Sequence, residues 1–231
     1  MIITMVKKIL GVWLIAVFLF SSCNRTAEKK ESQLDSIDTI AKDTLPIPSD
    51  STDTIQEQAP QGESLDAAIM NIIQAFNKQD SKALNNYIDK TVGYYTIYRP
   101  GVQAIYTHAV AFDFNHPIPD YYPYPHTNFL GKVTIGQLPV YDCGKEAWNK
   151  KGLFCNNKQH PTELSHTAKF MNEISDAKIS NAEIQKLKAL EAKSYRVILT
   201  DKNAPLIFHI TNKNGKWIFT VLDRAYGGCD A

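Results

Sequence analysis

Four side chains near the middle of the sequence could carry acid–base chemistry: Tyr106, His108, Asp113 and His116. A histidine beside a carboxylate is the usual general base with its orienting partner. If Val102–Phe114 is a strand, Tyr106 and His108 share a face by its period of two. His209, in a later strand-like run, is the third candidate, and the catalytic set expected from residue type is His108, Asp113 and His209. Ser175-Asp176-Ala177-Lys178 matches the short Ser-x-x-Lys nucleophile pattern, but its companion motifs are absent, since Lys213-Asn214-Gly215 stands where Lys-Thr-Gly is needed. No nucleophile elbow, zinc-protease helix, phosphate loop, dinucleotide fingerprint or calcium loop occurs. No metal site or cofactor is expected from the spacing of His and Cys residues.

A second kind of chemistry is recognition. Asn115–Phe129 holds four prolines and lacks hydrophobic periodicity, so a long loop is predicted. Tyr121, Tyr122 and Tyr124 in that loop are flat, amphipathic rings of low conformational entropy. Such rings stack on sugars or anchor protein contacts. A glycan or protein partner is therefore one expectation, with the rings folding back over the core as the other.

Cysteines give a third. Met1–Lys8 carries Lys7 and Lys8 and no acid, and Ile9–Phe20 is an uncharged apolar run of about a dozen residues. A spanning helix needs roughly 20. A short basic segment before a short apolar one reads as a signal peptide over residues 1–22. Ser21, Ser22 and Cys23 follow. Phe20-Ser21-Ser22-Cys23 resembles the bacterial lipobox, with Phe20 where Leu is usual. The resemblance implies a diacylglycerol thioether on Cys23, cleavage before it, and acylation of the freed amine. Two or more acyl chains give stable anchoring. The expected location is the cell envelope, periplasm-facing or on the cell surface, with the membrane as a partner through the lipid.

Lipidation of Cys23 leaves three thiols, Cys143, Cys155 and Cys229. An exported domain meets oxidising conditions, so one disulfide is expected and one thiol is left over. Cys143–Cys155 would close a local loop. Cys143–Cys229 would pin the C-terminal tail, and is favoured because such a tail otherwise frays.

These residues need elements to position them. Asn24–Gly62 has no aromatic residue and carries eight acids against four bases. It cannot bury enough apolar surface to offset its ordering entropy, so residues 23–62 read as a disordered linker behind the anchor. Residues 63–231 are long enough for one domain with its own core. They hold a small positive surplus and no basic run, which excludes a nucleic-acid partner.

Leu65, Ala68, Ile69, Ile72, Ile73 and Phe76 lie on one face of a helix opened by Ser64. A short helix is predicted from Ser81. Val92–Tyr98 is strand-like, and so, with a helix as the alternative, is Val102–Phe114. Lys132–Val140 is a short strand. Pro161–Ile174 has helical spacing, and Ser180-Asn181-Ala182-Glu183 is a capping box for another helix. Tyr195–Thr200, Leu206–Thr211 and Trp217–Asp223 read as strands. Asn214-Gly215 signals a hairpin between the last two, with a bulge expected in a longer loop. The class is α+β: N-terminal helices packed on a mainly antiparallel sheet that ends in a C-terminal hairpin. Paired opening helices and a closing meander resemble, in outline, the NTF2-like and cystatin-like folds. That outline implies a curved sheet with His209 facing its concavity.

Overall fold

The computed structural model describes residues 62–200 and 205–226. Contacts divide the chain into Met1–Gln56 and Glu57–Ala231, and the first unit lies outside the described residues. So do the expected signal peptide, Cys23 and Cys229. Among the described residues no helix is long and apolar enough to cross a membrane.

The fold is α+β, with four helices and a seven-stranded, mainly antiparallel sheet among the described residues. Helix α1 (Leu65–Lys78) begins where Ser64 accepts a hydrogen bond from the Ala67 amide, and its Ile69, Ile72, Ile73 and Phe76 are buried. It ends at Gln79, whose left-handed conformation turns the chain into α2 (Ser81–Asn85). Strands β1 (Tyr94–Tyr98) and β2 (Ile105–Ala109) follow as an antiparallel pair. The apolar run Val102–Phe114 is thus a short strand with non-helical flanks.

Between β2 and the next helix lie four strands. These are β3 (Val133–Ile135), the small pair β4 (Tyr141–Asp142) and β5 (Ala147–Trp148), and β6 (Gly152–Asn156). Only β3 was legible in the pattern. The others are too short, and too mixed in polarity, for alternation to mark them. Helix α3 (Glu163–Ser175) and helix α4 (Asn181–Glu191) come next. The Ser180 side chain caps α4 by accepting from the Glu183 amide, as the capping box requires.

The last three strands are β7 (Ser194–Thr200), β8 (Leu206–Lys213) and β9 (Lys216–Asp223). The β8–β9 ladder runs to Lys213 and Lys216, so the turn is the two-residue Asn214-Gly215, both with positive φ. This corrects the expected longer loop. The irregularity sits in the middle of the ladder, between His209 and Ile210, which face Val221 and Phe219. Thr220 is the extra residue, and its hydroxyl bonds to the His209 carbonyl at 3.4 Å.

Sheet order is β2-β1-β9-β8-β7-β6-β3. The final strand inserts between the first and the penultimate, parallel to β1. One face carries Tyr94, Val197, Leu199, Phe208, Ile210 and Phe219, packed with α1 and α2. The other carries Tyr95, Ile97 and Val221, packed with Leu164 and Ala168 of α3 and Ile184 and Leu187 of α4. Helices therefore cover both faces, and the face of His209 is filled by α3 rather than left as an open concavity.

Candidate functional site

The three expected catalytic side chains are not gathered. His108 is exposed at the sheet edge, where its Nε2 lies 2.8 Å from the Val92 carbonyl oxygen and its ring packs 4.7 Å from that of Tyr95. Asp113 stands in the exposed segment after β2. It holds His116 at 2.7 Å, and that hydrogen bond lowers its pKa. His209 is 0% exposed, on the middle strand β8. Alternation does point it to the α3 face, but α3 occupies the space where a substrate would sit. Ser175 of the Ser-x-x-Lys pattern bonds to Gln103, and it and Lys178 are both exposed. Among the described residues, no three His, Cys, Asp or Glu side chains form a group that could hold a metal.

Around His209 lies a buried polar cluster drawn from four elements. Arg196 of β7 pairs with Glu163 of α3 and, at 2.6 Å, with Asp223 of β9. Glu163 also lies 3.6 Å from His209 Nε2. Neither ring nitrogen of His209, nor Nε of Arg196, has a hydrogen-bond partner among the described residues. Burial and the facing Arg196 charge hold the His209 pKa well below its usual value, so the ring is neutral. Burial raises the Asp223 carboxyl, against the opposing pull of Arg196. Nearby, buried Glu191 of α4 accepts from the Leu164 and Ser165 amides at the start of α3. It satisfies the helix donors that Thr162, with no capping side-chain bond, leaves open. These groups tie α3 and α4 to each other and to the sheet. Glu163 is partly exposed, and Glu191 and Asp223 each line a surface cleft.

The tyrosine loop is the better site. Tyr124 is only 6% exposed: its ring stacks on Phe112 at 4.3 Å, and its hydroxyl accepts from the Ile118 amide. For this ring the core-covering alternative holds. Tyr121 and Tyr122 remain open, 65% and 47% exposed. Arg224, one residue past β9, organises all of this. Its guanidinium lies 4.0 Å from the Tyr122 ring centre and 5.0 Å from that of Tyr124. It donates to the Ile118 and Pro123 carbonyls, both at 2.6 Å. At the far end of the loop, Gln79 donates to the Pro125 carbonyl. The loop is thus held from below by β9 and from the side by the end of α1. Of its two exposed rings, Tyr122 is held against Arg224, which cuts the entropy lost on contact.

Arg224 was not foreseen. Its one sequence signal is a cation directly after a closing strand, and nothing local says that the strand ends beneath residues 118–125. Of the cysteines, Cys155 is a free thiol at 0% exposure, and burial pushes its pKa up to about 12. This removes the Cys143–Cys155 pairing. Cys143 is disulfide-bonded, and Cys229, its expected partner, lies outside the described residues.

No protein-family model, curated protein or solved structure matches the chain.

Proposed function

We propose that the chain is a lipid-anchored, extracytoplasmic binding domain that recognises a protein partner through Tyr121 and Tyr122. The observation that carries the reading is the braced loop itself: two exposed rings beside a half-buried Arg224 whose Nη1 and Nη2 both serve loop carbonyls. Tyrosine and arginine dominate the energetic centres of protein interfaces. Sugar recognition also uses rings and adds directional hydrogen bonds from nearby side chains; Arg224 commits one donor on each Nη to the loop and keeps three. The lipobox resemblance at Phe20–Cys23 supports the anchor. Position within the fold supports presentation: the chain enters beside the hairpin, where Trp217 donates to the Glu63 carbonyl. The tyrosines lie at the other end of β9, roughly 25 Å away at about 3.3 Å per strand residue.

The test is a photo-crosslinking side chain at position 121 in the full, membrane-attached chain. A discrete protein adduct is expected, and Tyr122→Ala should reduce it about tenfold or more, the cost of losing one anchor ring. A glycan array run on the same chain covers the sugar alternative. Array binding that falls in Tyr121→Ala and Tyr122→Ala, with no protein adduct, would transfer the site to a glycan. Neither signal would leave the rings as a cover for Arg224 only.

A further inference from the structure

The residues after β9 run from the sheet to the small β4–β5 pair. The Arg224 amide donates to the Ile97 carbonyl at 2.7 Å, so the backbone here is still fixed to β1. The Ala225 amide donates to the Asp223 carboxylate. Tyr226 then leaves the sheet. Its ring stacks on Trp148 of β5 at 5.2 Å, and its centre lies 5.3 Å from the Arg196 guanidinium. Its hydroxyl accepts from the Tyr141 amide of β4 at 3.5 Å. Tyr141 and Trp148 face each other across the β4–β5 ladder, edge to face at 5.5 Å. Tyr226 therefore sits at the base of this hairpin, and Cys143 stands in the hairpin's turn, exposed.

Cys143 is disulfide-bonded. The chain has three other cysteines, Cys23, Cys155 and Cys229. Cys155 is a buried free thiol. The lipobox resemblance commits the sulfur of Cys23 to a thioether. Cys229 is left, and the path of the chain suits it. It stands three positions after Tyr226, a reach of about 10 Å. Gly227 and Gly228 between them set no Cβ against a tight turn. Cys143 is two positions after Tyr141, whose amide meets the Tyr226 hydroxyl. Both cysteines thus start from one contact, and a disulfide needs their Cα atoms roughly 5.5–6 Å apart.

We infer that Cys143 is bonded to Cys229, and that this bond is the outer anchor of the tyrosine-loop brace. The bond forms as the two thiols give up two protons and two electrons to an oxidising protein disulfide, which leaves as a dithiol. Its effect falls on Arg224. A chain end without a tie frays from its last residue inward. With the tie, residues 224–226 are held from both ends, by β9 on one side and by the β4–β5 hairpin on the other. Arg224 then keeps its guanidinium on the Ile118 and Pro123 carbonyls. The brace is held this way whatever Tyr121 and Tyr122 contact.

The pairing is tested on the full, membrane-attached chain. Free thiols are alkylated under denaturing conditions, and the protein is digested with trypsin without reductant. Mass spectrometry should find residues 133–145 linked to residues 225–231, with alkylated Cys155 in residues 152–158. A non-reducing gel should show a single-chain band. Alkylated Cys143, its peptide linked to Cys23, Cys155 or a second copy of itself, or a two-chain band, would overturn the pairing. Hydrogen exchange reads the anchoring. In Cys229→Ser, and separately in Cys143→Ser, amides of residues 118–124 should exchange about tenfold faster while those of β7 and β8 keep their rates. Reducing the folded parent chain should give the same increase, which separates the loss of the bond from misfolding during synthesis. Loop exchange that stays at the parent rate, or that rises equally across β7 and β8, would overturn the anchoring role. No partner is present in either measurement, so these outcomes are independent of the crosslinking result.

Discussion

His209 shows how far a residue's role depends on its neighbours. By type it is a general base, yet here it is a buried neutral ring facing Glu163, Arg196 and Asp223. Its consequence is a pH dependence of stability. The folded-state pKa is depressed, so below about 6.5, the usual histidine value, the unfolded chain binds a proton that the folded chain does not. Stability from this group is fully present above that value and is lost as pH falls, at up to about 1.4 kcal/mol per pH unit. Asp223 and Glu191 act in the opposite sense. Their raised carboxyls take protons in the folded state first, and this offsets part of the loss. Thermal unfolding should therefore show a lower Tm at pH 5.5 than at pH 7.5. His209→Leu should flatten that difference, because the ring makes no hydrogen bond whose loss would cost stability. An unchanged slope in the variant would refute the assignment of this pH dependence to His209.

Among the elements, the edge pair β1–β2 depends on one glycine. Gly93 sits at φ +67°, and a Cβ there would lie 2.4 Å from His108 Nε2 and 2.5 Å from the Ala109 carbonyl oxygen. Backbone and ring approach the chain where only hydrogen fits. Gly93→Ala should cost about 2 kcal/mol or more, combining the strained φ with displacement of His108 from Val92. The expected drop in Tm is roughly 5 °C, read by calorimetry. A smaller loss in His108→Ala/Gly93→Ala than the sum of the two single changes would locate the clash at the ring. The elements themselves were mostly legible. Long apolar periods marked α1 and α4, and Asn214-Gly215 marked the hairpin, because these signals are local. The bulge at Thr220 was misplaced into the turn, since the ladder's length is set by pairing across strands and not by the turn residues.

For the whole molecule, the proposed arrangement is a lipid at Cys23, a linker, and a domain that presents its tyrosine loop far from the point where the chain enters. The anchor has a direct test. Cys23→Ala should abolish labelling by a fatty-acid analogue and end the protein's lipid-dependent membrane retention; labelling that persists would refute the lipobox reading. Cys155, by contrast, is a buried free thiol.

The sequence by itself determined the features that lie in short stretches. These are the apolar-then-small-then-cysteine run at the start, the acidic and aromatic-free composition of Asn24–Gly62, the helix faces, the caps at Ser64 and Ser180, and the hairpin turn. Each depends on residues within a few positions of one another, so spacing alone reports it. Tertiary structure decided which side chains meet. It buried His209 under α3 and sent Asp113 to His116 rather than to His108. It placed Arg224 beneath a loop about a hundred residues earlier in the chain. The tyrosines were visible as letters, but only packing separated Tyr124, stacked on Phe112, from Tyr121 and Tyr122, left in solvent. The reason is physical: burial depends on which strands become neighbours in the sheet, and no local period encodes that choice.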